Sequence, residues 1–274
     1  MTQSDHPPHR PRWPLLAVIG IVGGLLSGLF GIGGGIVMVP LLTGIGKLDQ
    51  RSAAATSLAA IVPTAIVGAG TYLAAGQADL LAALLISVGA IPGALLGSAM
   101  LKRLPVALLR WMFIVFMLLV AARLFLVPAS RGGEVPFDPA IGAGYVLLGL
   151  VMGVLSGLLG IGGGVIAVPA LVGVFGVSDL VAKGTSLLVM IPTSLVGTVA
   201  NWRARTVRVG DGLVVGAAAT VASLPGAAMA LALPARLSTT LFAALLVLVA
   251  AQLTWKAIAA HRDSPAGTPR SSAG

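Results

Sequence analysis

Leu26–Pro40 reads LSGLFGIGGGIVMVP, and Leu155–Pro169 reads LSGLLGIGGGVIAVP, identical at 11 of 15 positions and 129 residues apart. The same offset carries Thr56-Ser57-Leu58 to Thr185-Ser186-Leu187, Pro63-Thr64 to Pro192-Thr193, Val67-Gly68 to Val196-Gly197 and Leu104-Pro105 to Leu233-Pro234. One register break is expected, because Pro92-Gly93-Ala94 matches Pro225-Gly226-Ala227 at an offset of 133, with 129 restored at Met100 and Met229. The chain is a tandem duplication, and duplicated membrane proteins with interrupted apolar segments are most often transporters.

The membrane reading rests on composition. Apolar residues make up 57% of the chain and charged residues 9%, far below the roughly 25% that covers a soluble domain. Uncharged stretches run Pro14–Gly46, Ser52–Ala78, Leu80–Leu101, Pro139–Ser178, Gly184–Trp202, Gly212–Ala235 and Leu237–Trp255. Each approaches or exceeds the roughly 20 residues that a helix needs to cross a bilayer core. No period-2 alternation with polar partners is present, which argues against a β-barrel. The expected fold class is an all-α polytopic membrane protein made of two homologous repeats. The basic, proline-rich residues 1–13 read as a tail before a retained first helix rather than as a cleaved signal. The absence of cysteine excludes disulfides and thiolate metal sites.

Within Pro14–Gly46, 33 uncharged residues surround Gly31-Ile32-Gly33-Gly34-Gly35. One straight helix needs fewer residues and two full crossings need about 40. A helical hairpin that enters and leaves on one side fits best, followed in each half by three spans: 52–75, 80–101 and 107–127, then 181–202, 212–232 and 237–256. Three crossings per half make the second copy inverted. With the N-terminus inside, 13 of the 17 basic residues fall inside and 4 outside, whereas a crossing glycine segment gives 10 against 7. The tendency of Lys and Arg to stay cytoplasmic therefore favours inverted repeats. The same tendency accounts for the net charge of +9 without nucleic acid. Repeat 1 is expected over 14–127 and repeat 2 over 140–258, with a linker at 128–139 and a polar, disordered tail at 259–274.

The glycine run is a poor helix at bilayer depth, since each glycine costs about 1 kcal/mol relative to alanine. Unwound backbone there must be buried in protein or line a wet cavity. Ile36–Thr43 and Val165–Val172 can restart as short helices whose first N–H groups carry the positive end of the dipole, an arrangement that attracts anions. Close packing is the competing role, and it is the better reading for the spaced sets Gly20/Gly24/Gly28, Gly89/Gly93/Gly97 and Gly149/Gly153/Gly157. No Lys-Ser or Lys-Thr follows either run, so a nucleotide loop is excluded. Thr56-Ser57 and Thr185-Ser186 have two open roles: repair of backbone freed by Pro63 and Pro192, or donation to an oxyanion.

No acidic residue falls deep in a span: Asp49, Asp79, Asp179 and Asp211 lie at span ends, and Glu134 lies in the linker. Histidines occur only in the tails. Catalytic triads, carboxylate pairs and metal-ligand spacings are missing, so neither an enzyme nor a cofactor is expected. Arg123 reads as snorkelling to the surface, and Lys183 as a lone, structural charge at a mouth.

The doubled run with its following proline, Gly28–Pro40 and Gly157–Pro169, resembles the sulfite exporter TauE/SafE family, as do the Thr-Ser-Leu segments after each run. The resemblance covers roughly 14–258. It implies a multi-pass permease of the bacterial inner membrane, with cytoplasmic termini, for small anions such as sulfite, sulfoacetate or organosulfonates. Carried over position by position, it implies substrate-lining roles for Gly31, Gly33, Gly34, Gly35, Thr56 and Ser57, and for Gly160, Gly162, Gly163, Gly164, Thr185 and Ser186. Distantly similar thiosulfate transporters use cysteines, which this chain lacks. Alternating access around the two runs is the expected mechanism. An anion channel or uniporter, and a non-transport assembly protein, are the alternatives. The expected partners are the lipid bilayer and the anion, and the small-residue faces leave room for a homodimer.

Overall fold

The structure, a computed structural model, describes residues 13–100, 105, 108, 111, 114–115, 117–119, 121–123 and 138–262, with side chains described as far as Trp255. The described residues are helical or in short links, with no strand. The helices are α1 (Trp13–Phe30), α2 (Gly35–Gly44), α3 (Gln50–Ala74), α4 (Leu80–Met100), α5 (Pro139–Leu159), α6 (Gly164–Gly173), α7 (Asp179–Arg203), α8 (Val209–Ala232) and α9 (Ala235–Arg262). Described residues between 108 and 123 are also helical. The expected span at 107–127 is therefore only partly described, and most of the 128–139 linker and of the two tails lies outside the described residues.

Seven of these helices, all but α2 and α6, are long and apolar enough to cross a membrane. At 1.5 Å per residue α3 and α7 are each about 37 Å long, whereas α2 and α6 reach only about 15 Å. Polar residues start the long helices. Asp49 accepts the N–H groups of Arg51 and Ser52, Asp138 accepts that of Ala140 ahead of Pro139, and Ser178 accepts that of Val181. Each side chain satisfies a donor that the first helical turn cannot.

Helix directions follow from which backbones touch. A Cβ on Gly20, Gly24 or Gly28 would overlap the carbonyls of Val215, Ala219 and Ser223 in turn, so α1 and α8 run parallel. Gly212 and Gly216 lie against Thr56/Ala59 and Ala60/Pro63, so α3 is parallel to α8 as well. The chain must therefore return between α1 and α3, and α2 is that return, with Met38 folded over Gly23. Gly149, Gly153 and Gly157 meet the carbonyls of Ile86, Ala90 and Ala94, making α5 parallel to α4. Gly68 faces Leu187 and Gly197 faces Leu58, which makes α3 and α7 antiparallel. Hence α1 opposes its copy α5, and α3 opposes its copy α7. The glycine stripes do the packing expected of them, since only a residue without Cβ lets two backbones approach this closely.

The contacts between α1 and α8, between α4 and α5, and between α3 and α7 correspond under exchange of the halves at an offset of 129. The contact of Gly97 with the carbonyl of Val154 recurs as that of Gly226 with Leu25. This corrects the expected register break: Gly226 is the structural copy of Gly97, not of Gly93, and the offset stays at 129 through α4 and α8. The Pro-Gly-Ala match was a coincidence of two helices that each carry a proline at a different turn (Pro92, Pro225). Large apolar side chains such as Val18, Leu84, Leu213, Val221 and Leu248 are exposed. They form the surface that hydrocarbon would cover.

Candidate functional site

The two glycine runs are four-residue breaks between a long and a short helix. Gly31 and Gly160 end α1 and α5, each donating its N–H back to the carbonyl of Ser27 or Ser156 at 2.8 Å. Gly31, Gly33 and Gly34 have φ of 68°, 71° and 72°, and Gly160, Gly162 and Gly163 have 71°, 77° and 83°. An L side chain costs about 1–2 kcal/mol in that left-handed region, so these positions require glycine. Gly35 and Gly164 have ordinary φ and are glycine for a different reason. A Cβ on Gly35 would lie 2.7 Å from Ile161 Cα, and one on Gly164 would lie 2.7 Å from Ile32 Cα. The two loops thus touch backbone to backbone, each crossing the isoleucine of the other, and all ten residues are buried.

The short helices extend one residue beyond expectation at each end, and their first N–H groups start at this junction without intrahelical acceptors. Over it sits one side chain from each of α3 and α7: Ile61 and Met190, again 129 apart. Ile61 approaches the Cβ positions of both Gly33 and Gly162 at 3.2 Å. The Met190 methyl fills the space where a Cβ on either glycine would stand, and its sulfur lies 2.8 Å from the Cβ position of Gly164. Sequence reasoning passed over this pair, because an isoleucine matched with a methionine does not register as a repeat.

The structure divides the four expected hydroxyls. Ser186 Oγ donates to the Gly31 carbonyl at 2.8 Å, and Thr185 Oγ accepts the Asp79 N–H at 2.9 Å, both bonds joining one half to the other. Their copies Ser57 and Thr56 are fully buried and make no hydrogen bond. Ser27 and Ser156, one turn before the loops, are also buried and unbonded. Thr64 and Thr193 donate back to the carbonyls of Ala60 and Val189 in their own helices, one residue past the Ala59 and Leu188 carbonyls that Pro63 and Pro192 leave free. A buried hydroxyl left unpaired costs about 1–3 kcal/mol, so Ser27, Thr56, Ser57 and Ser156 carry unused hydrogen-bonding capacity.

One sequence expectation needs correction here. Asp179 does begin α7, as expected, but Lys183 is neither alone nor at a mouth. Their exposures are 4% and 1%, and Nζ lies 2.7 Å from Asp179 Oδ2. The spacing of four on one helix is the standard signature of such a pair, and it was present in the sequence. Tyr72, another residue not foreseen, donates its hydroxyl to the Gly28 carbonyl at 2.7 Å and holds the tip of α1. Arg123 is exposed as expected, and its guanidinium donates to the Gly173 carbonyl at the negative end of α6. Among the described residues no three metal-ligating side chains cluster.

A cavity of about 500 Å³ lies below the loops, between the N-terminal half of α3, the C-terminal half of α7 and the start of α8. Ala59, Pro63, Leu195, Trp202, Val209 and Gly216 contribute to its apolar wall, and none of the expected site residues lines it.

Comparison with known proteins converges on one group. The family model described as "Sulfite exporter TauE/SafE" matches residues 1–124 and 145–274. The "probable membrane transporter protein" YunE of Bacillus subtilis is 29% identical over 210 residues, covering 68% of this chain and 77% of YunE. YdhB of the same organism, with the same description, is 27% identical over 188 residues, 67% of this chain and 76% of YdhB. An Arabidopsis thaliana protein described as "Sulfite exporter TauE/SafE family protein 6" is 37% identical over 87 residues, 32% of this chain and 19% of the plant protein.

Proposed function

The chain belongs to the sulfite exporter TauE/SafE family of membrane transporters, which are not enzymes, and on that premise we propose that it carries small oxyanions, sulfite or organosulfonates, by alternating access around Gly31–Gly35 and Gly160–Gly164. The observation that carries this reading is that Ser27, Thr56, Ser57 and Ser156, on the helices that lead into or touch the paired loops, are buried with unbonded hydroxyls. Hydroxyl donors and helix N-termini suit an anion, because their N–H and O–H groups point partial positive charge at it. Met190 stands where the anion would reach Gly33 and Gly162, so this conformation is the occluded one, and loading requires the methionine to swing out. A methionine side chain adapts readily to such a move.

The opposed helix directions support an inverted repeat across the bilayer. They bring the turns bearing Lys47, Arg51, Arg203, Arg205 and Arg208 to one end, which the positive-inside tendency assigns to the cytoplasm of a bacterial inner membrane. The site residues carried over from the family resemblance are, in this reading, backbone donors at Gly33–Gly35 and Gly162–Gly164, pivots at Gly31 and Gly160, and hydroxyl donors at Thr56, Ser57, Thr185 and Ser186.

The test is uptake of radiolabelled sulfite into proteoliposomes, with the double variant Gly33→Val, Gly162→Val as blank. Saturable flux that the double variant loses is the expected result. Flux equal to the blank for sulfite and for a panel of sulfonates and carboxylates overturns the proposal.

A further inference from the structure

Asp179 and Lys183 form an ion pair inside the bundle at the first two turns of α7. Their side chains are 5% and 1% exposed, and Lys183 Nζ also donates to Ser238 Oγ on α9. Desolvating two ions costs several kcal/mol each, and pairing recovers that only in part. The scaffold has no need of the pair. At the copied positions in α3 stand Gln50 and Ala54, and the packing is the same without charge: Gly160 rests on Ala54 as Gly31 rests on Lys183. A charge kept at such a cost within apolar helices marks an ion or proton path more often than a structural strut.

Position supplies the second argument. A Cβ on Gly31 would lie 2.6 Å from Lys183 Cα, and one turn away Ser186 bonds the Gly31 carbonyl. The backbone of Lys183 therefore abuts the first glycine loop, while Asp179, the first residue of α7, follows directly on the short link from α6 and stands at the end of the span. The other groups facing it are few. From α3 comes the Tyr72 hydroxyl, which bonds Gly28; from the α3–α4 link comes Asp79, whose carboxylate accepts the Ala82 N–H. From α9 come Ser238 and the buried Thr239, with Arg236 exposed two residues before Ser238. The glycine loops contribute no titratable side chain.

We propose that the Asp179–Lys183 pair is the proton-binding site that couples anion movement to the proton gradient. A proton entering from that end of the span converts the Asp179 carboxylate to the neutral acid and breaks the ion pair, and the Lys183 ammonium then balances one negative charge on an anion at the Gly31 loop. When the anion leaves, the acid returns its proton and the pair re-forms. One proton moves with each anion.

This inference rests on the oxyanion reading, and the experiment separates the two. The full chain is reconstituted in proteoliposomes, and labelled sulfite is followed at an acidic pH where it is a monoanion. One arm measures exchange at equal concentrations, and the other measures accumulation driven by a pH gradient alone. Wild type should do both. Asp179→Asn should lose gradient-driven accumulation at least tenfold while exchange, though weaker, stays measurable. The pair Asp179→Gln with Lys183→Ala copies Gln50 and Ala54, a packing that the scaffold already accommodates, and should give the same split with a raised half-saturation concentration. Wild-type exchange that ignores the gradient, or a variant that still accumulates anion, overturns the coupling site and leaves the oxyanion reading intact. No wild-type exchange of sulfite or any sulfonate overturns both.

Discussion

Alanine at Gly33 and alanine at Gly160 separate two costs that the glycine loops otherwise combine. Both residues have φ of 71°, so both substitutions carry the same left-handed penalty of about 1–2 kcal/mol. They differ in what the new methyl meets. At Gly33 it meets the end of the Met190 side chain, which can move to another rotamer at a cost of order 0.5–1.5 kcal/mol. At Gly160 it meets backbone, 2.5 Å from Ala54 Cα and 2.8 Å from its carbonyl oxygen, and overpacking that cannot relax costs about 1–3 kcal/mol. Gly33→Ala should therefore lose about 1.5–3.5 kcal/mol and Gly160→Ala about 2–5 kcal/mol. Met190→Ala alone empties a fully buried site and should cost about 2–5 kcal/mol. Combined with Gly33→Ala it should cost about 1 kcal/mol less than the sum, because the obstructing methyl is gone. Gly160→Ala should gain no such relief. Thermal unfolding in detergent, at one protein and lipid concentration, ranks the five variants. Equal losses at the two glycines, or equal coupling of both to Met190, would refute the assignment of Met190 as the group that fills the loop junction.

Four further outcomes are expected. Ser186→Ala should lower stability by about 1 kcal/mol through loss of its bond to the Gly31 carbonyl, while Ser57→Ala, which breaks no bond, should leave unfolding unchanged and raise the half-saturation concentration in the exchange assay. Tyr72→Phe should cost about 0.5–1.5 kcal/mol in thermal unfolding, the worth of one buried bond to Gly28. Asp49→Ala should cost about 0.5–2 kcal/mol as a lost helix cap. The hydrogen bonds from Ser52 hold the Asp49 carboxyl below its ordinary 3.8. That contribution is complete above 3.8 and lost as pH falls through the lower folded value, so the gap between wild type and variant should be constant at neutral pH and close only in acid. Gly24→Ala places a methyl against the Ala219 carbonyl, backbone against backbone, and should prevent accumulation of folded protein in the membrane fraction.

The fold was largely legible because its signals are periodic. Uncharged length located the spans, the 129-residue offset located the halves, and the glycine stripes located the seams between α1 and α8 and between α4 and α5. The hairpin was legible by length only in the first half, where 33 residues are too many for one crossing and too few for two; the copy's run of 40 fits two crossings, and there the distribution of Lys and Arg carried the reading. The site was legible only where the repeat is exact. Gly31–Gly35 and Gly160–Gly164 stood out because they are identical, and the structure brings them into contact. Ile61 with Met190 went unseen, and Lys183 was misread as a lone charge, for the opposite reason: Ile61/Met190 and Ala54/Lys183 each occupy one position of the repeat with different side chains. The misread register in α4 has the same origin, because a proline that moves along a helix between copies looks like an insertion when sequence alone is compared.

Those departures from symmetry are not scattered. Ser186 to Gly31, Thr185 to Asp79, Tyr72 to Gly28, and Lys183 to Asp179 and Ser238 all lie at the end where α7 begins. At the opposite end, where α3 begins, the copies are Ser57 and Thr56 without partners, Asn201 bonded to Gly197 and Thr206 of its own half, and Ala54 without charge. The cavity of about 500 Å³ borders that second end. Two halves related by a two-fold exchange would, with identical sequences, hold their two ends equally tightly, and the two end-closed states would have equal energy. Here each extra bond at the α7 end is worth about 0.5–1.5 kcal/mol, so the two that join the halves there, Ser186 to Gly31 and Thr185 to Asp79, bias the molecule by about 1–3 kcal/mol toward closure at that end. An anion that satisfies Thr56 and Ser57 would offset this difference, and protonation of Asp179 would weaken the bonded end itself. In the proposed cycle, then, the sequence differences between the repeats set the resting state, and the ligands named above act on it at opposite ends.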